Sequence, residues 1–139
     1  MLTRNPPVQI RTRREQVTMG AALLSAIAVV FLLIARIDVV RGKLYFVGDQ
    51  YGWRYDDQDW PADKKFFAGD ELRFFYDNLF HNVVEVDEAG YRNCVASPAS
   101  KTFNSGEETF PLEKGTHYFI CSVADHCEKR GMKLAIVVN

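Results

Sequence analysis

Two thiols, an imidazole and a thioether fall within twelve residues near the end of the chain, as Cys121, His126, Cys127 and Met132. Forty residues before Cys121, His81 opens an apolar run, His81-Asn82-Val83-Val84-Glu85-Val86. One Cys thiolate, two His nitrogens and a weak Met sulfur are the ligands that suit a trigonal copper ion exchanging single electrons. Cu(I) favours soft sulfur and Cu(II) favours nitrogen. A thiolate and two imidazoles in a plane, with a long thioether bond, serve both states, so the ion can switch with little ligand movement. On this reading His81, Cys121, His126 and Met132 hold one Cu(I)/Cu(II) ion, and the chain is an electron carrier and not an enzyme. Electrons would cross an exposed imidazole edge, that of His126, by outer-sphere transfer. A multicopper oxidase needs several His-x-His pairs, whereas this chain has three histidines and no such pair. His117 has no ligand-spaced neighbour and reads as structural. Zinc on His81, Cys121, His126 and Cys127 is a poorer reading, because adjacent His126 and Cys127 reach one ion only with strain.

Such ligands need a frame that brings residue 81 to residues 121–132. From Lys43 onward the chain reads as short strands between turn signals: Leu44-Tyr45-Phe46-Val47, Glu71 to Tyr76, His81 to Val86, Thr116 to Ile120 and Lys133 to Val138. Leu72, Phe74 and Tyr76 share one face, as do Leu134, Ile136 and Val138. This alternation, broken at Gly, Pro, Asn and Asp, predicts an all-β sandwich or barrel. Helix is scarce; the Asp57–Lys64 region, with Pro61, is expected to hold one short turn. In a sandwich, the start of one strand and a loop between two others can meet at the same end. There is no internal repeat.

The front of the chain is different. Residues 1–18 carry Arg4, Arg11, Arg13 and Arg14 against one acid, Glu15, and Met19 to Ala35 carry no charge. A basic head before an apolar run is the layout of a secretory signal. The run is also close to the minimum of about 17 residues that can span a bilayer. The expected organisation is therefore residues 1–42 as a signal peptide or signal anchor and 43–139 as the functional domain. Cleavage is expected near Val40-Arg41-Gly42. The excess of Arg before the run keeps the head cytoplasmic and exports the domain, so the expected location is extracellular, with membrane attachment only if the leader is uncut. The last strand reaches the final residue, so a lipid-anchor signal is not expected. Asn-x-Ser/Thr sequons are absent.

From residue 43 onward, 11 Lys and Arg stand against 16 Asp and Glu, a balance of −5 against −1 for the whole chain. That argues against nucleic acid, which calls for a basic stripe, and is compatible with a cationic redox partner, protein or small molecule, met by a monomer. Three cysteines in an exported domain permit one disulfide and leave one thiol over. The pairings 94–121, 94–127 and 121–127 all remain open on the residues alone.

The exported part also resembles the phytocyanins, plant blue-copper proteins with a cupredoxin fold. The matching stretches are Val47-Gly48-Asp49 with Gly52-Trp53, Phe67-Ala68-Gly69-Asp70, His81 to Val86, Tyr118-Phe119-Ile120-Cys121, and His126-Cys127 leading to Gly131-Met132-Lys133. The resemblance implies a Greek-key β-barrel, copper on His81, Cys121, His126 and axial Met132, and a Cys94–Cys127 disulfide. It also implies that Asn82 ties the first ligand segment to Cys121-Ser122. Met at the axial place is similar to the plantacyanin and uclacyanin branch; stellacyanin-like members carry Gln there. Two features depart from the pattern. The family usually places two residues between His-Cys and Gly-Met, and here there are three, Glu128, Lys129 and Arg130, which would form a bulge facing water or else displace Met132. Plantacyanins tend to be basic, whereas this domain is acidic. The other function class left open is an extracellular interaction or signalling module on the same scaffold, with copper redox incidental.

Overall fold

The computed structural model describes residues 24–30 and 42–139. The chain divides into two units, Met1–Val39 and Val40–Asn139. Of the first, residues 24–30 form a helix, α1, with Leu24, Ile27, Val29 and Val30 exposed. The rest of the expected signal or anchor segment, and the expected cleavage region up to Arg41, lie outside the described residues. No helix among the described residues is long and apolar enough to cross a membrane.

The second unit is a Greek-key sandwich of two sheets. One is ordered β1-β2-β5, from β1 (Leu44–Phe46), β2 (Glu71–Phe75) and β5 (Glu107–Pro111). The other is ordered β4-β3-β6-β7, from β3 (Val83–Val86), β4 (Thr102–Phe103), β6 (Gly115–Ile120) and β7 (Lys133–Val138). β1 runs parallel to β2, and the other pairings between these strands are antiparallel. Period-two patterning sets the inner faces: Leu72 and Phe74 of β2 and Leu134, Ile136 and Val138 of β7 are buried. Phe74 is the hub of the core, packing against Trp53 at 5.3 Å, Phe119 at 5.1 Å and Phe110 at 5.5 Å between ring centroids. Buried Asp70 pins the two parallel strands at their starts, accepting from the Lys43 N–H at 2.7 Å and the Phe67 N–H at 2.9 Å.

Four elements were not expected from the residues. β4 and β5 escape notice because β4 is two residues long and β5 is Glu107-Glu108-Thr109-Phe110-Pro111, in which only Phe110 is buried. Helix α2 (Glu88–Asn93) replaces the turn expected after β3; Asp87 caps it by accepting the Gly90 N–H at 2.7 Å. The short turn expected at Asp57–Lys64 is there, as a 3-10 turn at Asp57–Asp59. A third helix, α3 (His126–Arg130), follows β6.

Candidate metal centre

His81 and Asn82 come just before β3, which begins at Val83 and not at His81. The His81 N–H donates to the Asp77 carbonyl at 2.9 Å, fixing the turn that delivers the imidazole. Cys121 directly follows β6 and His126 begins α3. β3 pairs with β6 in register Val84 to Ile120, so the residues flanking that pair, 81–82 and 121–122, emerge at one end of the sheet.

There the side chains converge. His81, Cys121 and His126 each present one donor atom, and these atoms all lie within 4.8 Å of one another. His81 Nδ1 is 3.2 Å from His126 Nδ1, and Cys121 Sγ is 3.6 Å from His126 Nδ1. With bonds of about 2.0–2.3 Å, the values for zinc with nitrogen and sulfur, donors of one ion stand about 3.2–4 Å apart. The spacing therefore fits a single small cation. Burial pushes the Cys121 thiol pKa up, against the Asn82 and Val123 main-chain hydrogen bonds that lower it. Burial and the neighbouring His126 push the His81 pKa down. Both favour neutral groups, and a cation between them would supply the charge that a thiolate needs.

Main-chain bonds set the loop. Cys121 N–H donates to the Met132 carbonyl at 3.0 Å, His126 N–H to Val123 at 3.1 Å, and Met132 N–H to His126 at 2.9 Å. The three residues between Cys127 and Gly131 are absorbed as a turn of α3, not as a bulge, and Glu128, Lys129 and Arg130 are exposed. Gly131 ends that turn at φ 58°, a left-handed conformation glycine adopts without strain. Met132 returns fully buried into the same core cluster as Cys121, Phe74 and Phe119. The longer loop therefore leaves Met132 inside the barrel.

Asn82 joins the two donor segments. Its Nδ2 donates to Ser122 Oγ at 2.9 Å and its Oδ1 accepts the Ser122 N–H at 2.8 Å, while its carbonyl accepts from Trp53 Nε1 at 3.0 Å. Cys94 and Cys127 form the disulfide, leaving Cys121 as the free, buried thiol. His117 stands apart from the group, with Nε2 2.8 Å from the Glu113 carbonyl.

Two residues at the centre were missed. Tyr55 packs edge-on to both imidazoles, and its hydroxyl lies 3.2 Å from His126 Nε2. The outer nitrogen of His126 is therefore partnered by Tyr55, while the residue itself stays half-buried. Arg130 lies over the Tyr55 ring at 4.3 Å. Neither residue type signals a metal site; the one clue was Tyr55's place just after Gly52-Trp53.

A plastocyanin-like domain family matches residues 49–132. Chemocyanin of Lilium longiflorum is 45% identical over 115 residues, 83% of this chain and 90% of that one. A basic blue protein of Arabidopsis thaliana is 40% identical over 84% of this chain and 94% of its own length. Among solved structures, the cucumber basic protein, a blue copper protein, superposes with a TM-score of 0.67 at 40% identity, over 69% of this chain and 99% of that one.

Proposed function

The chain belongs to the phytocyanin family of plastocyanin-like proteins, and on that premise we propose that it binds one copper ion and carries single electrons outside the cytoplasm. The convergence of His81 Nδ1, Cys121 Sγ and His126 Nδ1 within 4.8 Å carries this reading. Those three residues would hold the ion, with the Met132 thioether as a weak further donor. When bound, copper supplies a one-electron couple whose two states accept the same donors.

The chain's own residues keep those donors still. The Asn82–Ser122 pair locks the His81 segment to the Cys121 loop, and Cys94–Cys127 staples the residue beside His126 to the end of α2. The core below Cys121 excludes water from the thiolate side. Transfer is outer-sphere, across the imidazole face of the molecule, without a bound substrate. The basic head and apolar run support export to the cell wall, or tethering to the membrane if the segment is uncut. The −5 balance of residues 43–139 favours a cationic redox partner, protein or small molecule, met by a monomer.

The test is the visible and EPR spectrum of the purified protein with one equivalent of Cu(II). An intense thiolate-to-copper charge-transfer band with narrow copper hyperfine splitting is expected. A colourless protein that binds no copper would overturn the electron-carrier reading and leave an interaction module on the same scaffold.

A further inference from the structure

Two side chains, Tyr55 and Arg130, follow one another outward from His126 Nε2. Its Nε2 meets the Tyr55 hydroxyl at 3.2 Å. The Tyr55 ring stands at 81° to the His126 ring, 5.0 Å between centroids, and at 90° to the His81 ring, 5.4 Å away. The Arg130 guanidinium sits over the Tyr55 ring, 4.3 Å from its centroid. The main chain ties the same two segments, because the Asp56 N–H donates to the Arg130 carbonyl at 2.9 Å. Arg130 is the last residue of α3, the turn made possible by three residues between Cys127 and Gly131.

The direction of the Tyr55–His126 bond follows from what the other ring nitrogen does. His126 Nδ1 faces His81 Nδ1 and Cys121 Sγ. With an ion on Nδ1, as in the copper reading above, the ring must carry its proton on Nε2, and Nε2–H then donates to the Tyr55 oxygen 3.2 Å away. An oxygen acceptor on the outer nitrogen fixes the tautomer and ring plane, and it makes the inner nitrogen a stronger donor. Cu(II) gains more from a stronger nitrogen donor than Cu(I), which favours sulfur.

We propose that Tyr55, held in place by Arg130, is a positioning residue that fixes His126 with Nδ1 inward and biases the centre toward the oxidised ion. Both halves rest on the copper reading above, the first through the inward lone pair and the second through the ion itself. Both are tested with Tyr55→Phe, which keeps the ring packing and removes the acceptor oxygen, and with Arg130→Ala, which keeps the oxygen and removes its support.

The first measurement is the 15N imidazole spectrum of the metal-free protein at a pH where His126 is neutral. The wild type is expected to carry the His126 proton on Nε2, and Tyr55→Phe to shift population toward the Nδ1–H tautomer. The second is copper affinity and reduction potential. Losing an outer partner of a ligating His typically weakens metal binding about 10- to 100-fold. A tenfold loss confined to Cu(II) raises a one-electron potential by about 59 mV, and Arg130→Ala is expected to shift the His126 tautomer in the same direction as Tyr55→Phe by less. An unchanged tautomer in Tyr55→Phe would overturn the positioning role, and an unchanged potential would overturn the bias. A wild type that binds no copper would defeat the copper reading and with it both halves, whereas either unchanged result beside a copper-binding wild type would leave the copper reading standing.

Discussion

Asn82 and Ser122, forty positions apart, exchange two hydrogen bonds that close the gap between the His81 segment and the Cys121 loop. The amide donates to Ser122 Oγ at 2.9 Å and accepts the Ser122 N–H at 2.8 Å. Asn82 is buried, with 7% of its surface exposed, whereas its partner Ser122 is exposed. One side chain thus fixes the separation between two donors that no main-chain ladder holds directly.

Replacing Asn82 with Ala removes both bonds. At about 1 kcal/mol for each net bond, and with Ser122 exposed so that water can reach its N–H, the expected loss is about 2 kcal/mol. The denaturant midpoint should fall with the slope unchanged, and the charge-transfer band of the copper form should weaken as Cys121 loses its fixed place. An unaltered midpoint would show that the pair is incidental to the loop.

The Cys94–Cys127 disulfide closes a separation of 33 residues. On the chain-entropy estimate, a loop of that length contributes about 4 kcal/mol by restricting the unfolded state. The double variant Cys94→Ser with Cys127→Ser should lose about that much in denaturant unfolding. Thiol titration of the unfolded, metal-free wild type should find one reactive group, Cys121. Three would contradict the bond.

Asp57 gives a pH dependence of opposite sign to the usual carboxylate. Burial raises its pKa from 3.8 to about 6, aided by the negative charges of Asp49 and Asp56 and opposed by the Arg54 N–H and the Arg54 charge. A folded-state pKa above the unfolded one means that the folded protein holds the proton more tightly. This group therefore costs stability above pH 6, and the cost is relieved as pH falls from about 6 toward 4. Asp57→Asn keeps an oxygen to accept the Arg54 N–H, 2.9 Å away, and removes the buried charge. It should stabilise the protein at pH 8 by about 1–2 kcal/mol, less than the full linkage value of 1.36 kcal/mol for each pKa unit. The gain should vanish near pH 4. Equal stabilisation at both pH values would mean that the carboxylate is not the cause.

The strands with alternating apolar residues were legible because their inner faces are Leu, Ile, Val and Phe, and period two leaves little choice about which side is buried. β5 was not, since Glu107 and Glu108 open it and a single Phe110 turns inward. α2 was hidden by Gly90 and Asn93, poor helix residues whose cost is offset by the Asp87 cap and by packing of Tyr91 on Tyr118 at 5.3 Å. At the centre, Cys121, His126 and His81 were readable because thiol and imidazole at such spacing have few other uses. Tyr55 and Arg130 were not. Their role comes from tertiary proximity across 75 positions, and an aromatic or an arginine in a loop has many ordinary explanations. The extra residue of the loop was visible, but its outcome depended on a helical turn forming, which single-residue counting does not reveal.

Met132 separates packing from ligation. It is fully buried beside Cys121 in the main cluster, and its carbonyl already holds the Cys121 N–H at 3.0 Å. Its side chain therefore has a packing role whether or not its sulfur meets an ion. Met132→Leu conserves volume and should cost less than about 1.5 kcal/mol in the metal-free protein. In the copper form, losing a weak axial sulfur should raise the reduction potential, because the oxidised ion loses a donor, whereas Met132→Gln should lower it by offering a harder oxygen. If both variants keep the wild-type potential and spectrum, Met132 is core filler and the ion is held by His81, Cys121 and His126 alone. If the two move the potential in opposite directions while stability stays nearly constant, the thioether is a ligand, and the lengthened α3 turn delivers it to the centre.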